Sequence, residues 1–182
     1  MAEPQVRLRA FEKSDLDIIY KYFNNPELVR FLSPEAVMPY SREEEASFIE
    51  NSVNPKDKEK TYNFAIVNAR EELVGGCSYM DTSMKNRICY IGISIYNPRH
   101  WGKGYGTAAI RKLLEFLFFE KNMRKVLLNV YDFNERAIAC YKKVGFKQEG
   151  CLKEQIYRDG KYNDLHIMAL FAEDYDRAHA KE

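Results

Sequence analysis

The sequence predicts a mixed α/β fold, with a central, largely antiparallel sheet of about seven strands, one parallel pair, and helices on both faces. Three observations lead there. Residues 14–52 carry helical spacing, and from Thr61 the apolar period shortens to that of strands joined by short polar turns. The strand at 87–96 then runs through a glycine-rich turn into a helix and on to another strand at 125–131, and a helical crossover implies a parallel pair. No linker, repeat or low-complexity segment interrupts the chain, so 1–182 reads as a single domain.

Taken in order, Val6 to Ala10 alternates apolar and basic residues and reads as a first strand. Ser14 is an expected N-cap, with Asp15 and Asp17 in the first helical turn and Leu16, Ile19, Tyr20 and Phe23 along one face. Pro26 suits the first position of a short helix to Leu32, and Pro34 and Pro39 bracket a loop. Ser41 with Glu44 is a capping box that opens a helix to about Ser52. Strands are expected at 62–68, 73–82 and 87–96, turning at 69–72 and 83–86. A helix over 108–121 and a strand over 125–131 follow. Asn134 caps a helix that Gly145 ends. A hairpin of 146–157 and 161–171 turns on Arg158-Asp159-Gly160.

Composition removes several classes of function. Charge is balanced at a formal +1, which gives no footprint for broad nucleic-acid binding. No apolar run approaches a membrane span, and the first residues lack the pattern of a signal peptide, so the expected location is the cytoplasm, without a membrane partner. Cys77, Cys89, Cys140 and Cys151 form no paired motif and read as buried free thiols in a reducing compartment. His100, His166 and His179 have no metal-ligand spacing, and no metal is expected.

The chemistry centres on Trp101-Gly102-Lys103-Gly104-Tyr105-Gly106-Thr107, between the strand and the helix. Glycines at alternate positions let the backbone approach a ligand, and the free N–H groups of a helix start favour an anion such as a pyrophosphate. The same turn could serve only as a tight connection. The dinucleotide fingerprint would need glycine in place of Thr107, and the Walker spacing is absent, which disfavours a nucleotide-dependent oxidoreductase or an ATP site.

Together with two later segments, this loop resembles that of the GNAT superfamily of N-acetyltransferases. The likeness is strongest to the branch of ribosomal-protein N-terminal and spermidine acetyltransferases. Asn134-Glu135-Arg136-Ala137-Ile138 with Tyr141-Lys142-Lys143-Val144-Gly145-Phe146 is similar to the family's second cofactor segment, and 157–164 resembles the hairpin of this branch. The resemblance implies a three-layer GNAT fold, acetyl-CoA as co-substrate, and acetyl transfer to an amine on a small molecule or peptide N-terminus. A homodimer is compatible with it. It implies that the backbone of Gly102, Lys103, Gly104, Tyr105, Gly106 and Thr107 holds the pyrophosphate, with the Thr107 hydroxyl as a further donor and Trp101 packing beside it. Ile93, Ser94 and Ile95 would offer a strand edge to pantetheine. Asn134 would contact the pantetheine arm, and Tyr141 would act as general acid at the thioester sulfur.

One departure bears on mechanism: Tyr90 stands where relatives often carry a glutamate base. At about pH 7.4 only on the order of 0.1% of an alkylammonium of pKa about 10.4 is neutral, a cost of roughly 4 kcal/mol, whereas an α-amine near 7.7–8.0 needs far less help. The missing glutamate therefore favours a weakly basic amine, or a base acting through water, for which Asp81 and Glu154 are candidates. Tyr20, Tyr22, Phe23, Phe31 and Tyr40 are candidates for an acceptor wall, and the acidic run Glu43 to Glu45 for attracting a polyamine. A non-catalytic acyl-CoA sensor is the alternative; it would share the loop without needing Tyr141.

Overall fold

The computed structural model describes residues 3–32 and 38–179, with side chains through 175. Pro34, one bracket of the expected loop, lies outside the described residues. The chain runs β1 (Val6–Ala10), α1 (Leu16–Phe23), α2 (Pro26–Val29), α3 (Arg42–Val53), β2 (Tyr62–Asn68), β3 (Leu73–Ser83) and β4 (Ile88–Ile95). It continues α4 (Tyr105–Glu115), β5 (Lys125–Tyr131), α5 (Glu135–Val144), β6 (Lys147–Arg158), β7 (Lys161–Phe171) and α6 (Ala172–His179). The strands form one sheet in the order β1-β2-β3-β4-β5-β7-β6. Every neighbouring pair is antiparallel except β4–β5. This is the mixed, helix-covered sheet that the sequence predicts.

Strand alternation sends side chains to two cores. On one face Ile66, Val74, Val126, Leu128 and Met168 pack against Ala109, Leu113 and Leu117 after the crossover and against Val144 of α5. On the other, Ala65 and Tyr96 meet Phe11, Ile19, Leu28 and Ile49 from the first helical layer. Burying residues at helical spacing from 109 to 117 gives the crossover helix one apolar stripe, enough to hold it on the sheet.

Several boundaries shift for local reasons. Ser14 lies in a 3-10 turn, Lys13–Asp15, whose capping box joins Glu12 and Asp15, so α1 begins later than expected. Asp15 is 4% exposed and is anchored by two contacts of 2.8 Å from Arg9. The capping box of Ser41 and Glu44 forms as expected. The helix after the glycine loop begins at Tyr105, three residues early, and its last turn, Phe116–Glu120, widens into a π-helix. The sequence reading missed α6, whose Tyr175 is buried against Phe118. Among the described residues no helix is long and apolar enough to cross a membrane.

Candidate active site

The site opens where the one parallel ladder stops. β4 and β5 pair only at Ile88, Cys89 and Tyr90 with Lys125, Val126 and Leu127. Beyond Tyr90, β4 stays bonded to β3 as far as Ile95, and β5 stays bonded to β7 as far as Tyr131. The two strands diverge and leave a cleft of about 850 Å³. Ile93, Ser94 and Ile95 line it, as expected for a free strand edge.

The glycine loop closes one end. Gly104 is the N-cap of α4 in the left-handed region at φ 88°, where a side chain would be strained, and a Cβ there would lie 2.9 Å from Pro4. The first intrahelical bond recorded at this end runs from the Ala108 amide to the Gly104 carbonyl. The amides of Tyr105, Gly106 and Thr107 therefore belong to the unpaired first turn, where the helix dipole favours an anion. Gly102, Gly104, Tyr105, Gly106 and Thr107 line the cleft, whereas Lys103 does not. The Thr107 hydroxyl, expected to donate to a phosphate, instead sits 3.3 Å from the Cys140 thiol. Trp101 packs as expected: its indole N–H donates to the Ile95 carbonyl at 2.6 Å, and the Arg136 guanidinium lies 3.7 Å from its ring centroid.

α5 forms the opposite wall. Asn134 starts it by accepting from the Ala137 amide, and Gly145 ends it in the left-handed region. Between them Tyr141 is 7% exposed, lines the cleft, and packs edge-on against Phe146. Its hydroxyl has no hydrogen-bond partner among the described residues. Burial pushes its phenol well above the usual tyrosine range, so it stays protonated at neutral pH. Of the five aromatic wall candidates, Phe23 and Phe31 line the cleft.

With this geometry in hand, the comparison with known proteins decides the family. Residues 5–147 match the acetyltransferase (GNAT) domain. The chain belongs to the GNAT acetyltransferase family. Spermidine N(1)-acetyltransferase of Vibrio cholerae is 29% identical over 171 residues, which cover 94% of this chain and 95% of that protein. The Escherichia coli K12 spermidine N(1)-acetyltransferase is 28% identical over 174 residues, 96% of this chain and 90% of that protein. An uncharacterized N-acetyltransferase, p20 of Bacillus licheniformis, is 24% identical over 173 residues. A crystal structure of spermidine N-acetyltransferase from Vibrio cholerae with CoA and spermine superposes with a TM-score of 0.82 at 28% identity, covering 94% of this chain and 98% of that one. The GNAT chain is thus an N-acetyltransferase whose co-substrate is acetyl-CoA and whose acceptor is an amine.

Other expectations change. Asp81 and Glu154, the candidate water-relay bases, both have positive φ beside irregularities in their ladders, and neither lines the cleft. The run Glu43 to Glu45 is not one patch. Glu44 is bound into its capping box, while Glu45 is 3% exposed and has no side-chain partner among the described residues. Cys151, Asp164 and His166 come within 4.8 Å of one another across β6 and β7, which their spacing along the chain hides. Asp164 is committed there to Lys153 and the Glu154 amide, and this pairing holds its carboxyl down at about 2. The sequence reading also missed three neutral side chains in the cleft, Asn63, Ser78 and Asn129. Strand alternation could have put each on a face, but not in the same row.

Proposed function

We propose that this enzyme transfers acetyl in a single direct step, with Tyr141 as the hydrogen-bond donor to sulfur. The amine nitrogen attacks the thioester carbonyl, the C–N bond forms as the C–S bond breaks, and the electron pair leaves on sulfur. The amine releases a proton to solvent, and the thiolate is met by the Tyr141 hydroxyl. A thiol has a reference pKa near 8.5, and the buried phenol lies far above it, so Tyr141 is suited to stabilise the thiolate by hydrogen bonding before any full proton transfer. The amides of 105–107 would hold the pyrophosphate, the edge of Ile93 to Ile95 would run beside pantetheine, and Asn134 and Trp101 would flank the arm.

The observation that carries this reading is the convergence on one cleft of a strand edge freed after Tyr90, a glycine-capped helix start, and an unpartnered phenol. The test combines calorimetric acetyl-CoA binding with thiol release against an amine panel. Tight binding without turnover on any amine would favour the sensor alternative. The names of the relatives favour a polyamine acceptor as a second reading.

The proposal extends to a single domain over 1–182, a cytoplasmic location that suits four unpaired thiols, and a homodimer, which light scattering would read directly. A spermidine N-acetyltransferase structure from Vibrio cholerae is described as dodecameric, so a larger assembly is the competing outcome.

A further inference from the structure

Asn63 stands opposite Ser78 on β2 and β3, Ser78 stands opposite Gly92 on β3 and β4, and Asn129 lies across the opening on β5. All four line the cleft. Gly92 adds no side chain to the row, and a Cβ there would sit 3.3 Å from both the Ser78 hydroxyl oxygen and the terminal methyl of Met80. Asn63 donates one amide hydrogen to Ser52 at 3.1 Å, which fixes its head group. The side chains of Ser78 and Asn129 have no partner among the described residues. One row further along the same face of β4, the Ser94 hydroxyl oxygen is buried and likewise unpartnered. The cleft floor is therefore a set of neutral hydrogen-bonding groups, one of them, Asn63, held in place by Ser52.

Charge sharpens the point. Among the described residues no aspartate or glutamate lines the cleft, while Arg136 and Lys143 do. A polyamine would bring additional ammonium groups into a cleft with Arg136 on its wall, Lys143 already 3.6 Å from Glu3, and no carboxylate among its described lining residues to pair with. With no carboxylate base among the described cleft residues, an amine that gives up its proton easily needs the least help. An amine whose neighbouring carbon carries an amide or hydroxyl meets both demands, because that group withdraws electrons from the amine and bonds to neutral side chains.

We propose that Asn63, Ser78 and Asn129 set acceptor specificity, selecting a primary amine with a neutral amide or hydroxyl group beside it and rejecting polycations. This rests on the acetyl-transfer reading above. Peptide N-termini and amino sugars share that chemistry, and the test separates them. Turnover is measured with the intact enzyme on alanyl-serine amide, glucosamine and spermidine, alongside acetyl-CoA affinity.

At least one neutral acceptor is expected to exceed spermidine in kcat/KM by about 100-fold, and the better of the two identifies the source. Ser78→Ala and Asn129→Leu are each expected to lower kcat/KM for that acceptor by about 10- to 100-fold while acetyl-CoA affinity holds. Ser78→Asp is expected to move the preference toward spermidine. Spermidine turned over as well as or better than both neutral acceptors would overturn this inference and leave acetyl transfer standing. Variants that slow every acceptor equally would also overturn it. Bound acetyl-CoA with no acceptor turned over would bring down the transferase reading itself, and this inference with it.

Discussion

Glu45→Gln should make the protein more stable in alkaline solution and change little in acid. The carboxyl of Glu45 is buried in the first helical layer, one turn before Phe48 of the cleft wall, and among the described residues no cation offsets its desolvation. Burial, aided by neighbouring Glu44, raises it from the ordinary 4.5 to about 7. The folded chain therefore binds this proton more tightly than the unfolded chain does. Stability is full below about pH 4.5, falls as pH rises, and levels off above about pH 7. At about 1.36 kcal/mol per pH unit, the loss between those limits is about 3 kcal/mol. Glutamine copies the neutral acid in shape and does not titrate. Urea unfolding of both proteins at a series of pH values isolates this one group, because every other titration is common to the pair. The stability difference should be small at about pH 4 and grow to about 3 kcal/mol in favour of the variant at about pH 8. A difference that stays flat with pH would refute the argument and mean that Glu45 is ionised and solvated in the folded chain.

Tyr141→Phe should preserve the packing against Phe146 and acetyl-CoA affinity while slowing the chemical step by about 10²–10⁴-fold in single-turnover kinetics. A loss confined to KM would reassign the hydroxyl to substrate positioning. Gly104→Val should weaken acetyl-CoA binding in calorimetry, because a β-branched residue at φ 88° is strained by about 1–3 kcal/mol and its Cβ would collide with Pro4, which shifts the amides meant for the phosphates. Asn134→Ala should cost about 0.5–2 kcal/mol in thermal or urea unfolding through loss of the bond to the Ala137 amide. Asn134→Ser keeps a cap acceptor, so it should restore stability while any defect in acetyl-CoA affinity persists.

Much of this site was legible because its signals are local. The stop at Gly145, the cap at Asn134 and the capping box at Ser41 each depend on a few adjacent residues. The parallel pair followed from handedness and the crossover helix. What escaped depends on register between distant strands. Asn63, Ser78 and Asn129 are unremarkable along the chain and meet only because three strands align across the sheet. Asp81 and Glu154 stand outside the cleft lining, and each has a positive φ beside an irregularity in its ladder that the sequence does not reveal. Glu45 was read with its acidic neighbours, yet the helical period turns it inward while Glu44 stays at the surface. The missed α6 has a polar sequence, and among its described side chains Tyr175 and Ala172 hold it on the core.

The split between β4 and β5 ties these parts together. Each strand has one committed partner, β3 for β4 and β7 for β5, and each of those ladders continues well past the three shared pairs. Twist within the two antiparallel halves therefore pulls the parallel pair apart after Tyr90. The inner edge of β4 from Ile91 onward retains polar backbone groups that the sheet does not pair, and such groups in a largely apolar cleft favour a ligand that can hydrogen-bond as a strand does. Trp101 already satisfies the Ile95 carbonyl, which fixes the indole at the junction of strand edge and glycine loop. Ser78 and Asn129 line the same cleft from the sheet, and Tyr141 lines it from α5. The strand edge proposed for the cofactor, the floor proposed for the acceptor and the phenol proposed to meet the sulfur thus all border one break in one ladder. A substitution that closed that break would remove all of them while leaving the rest of the sheet intact.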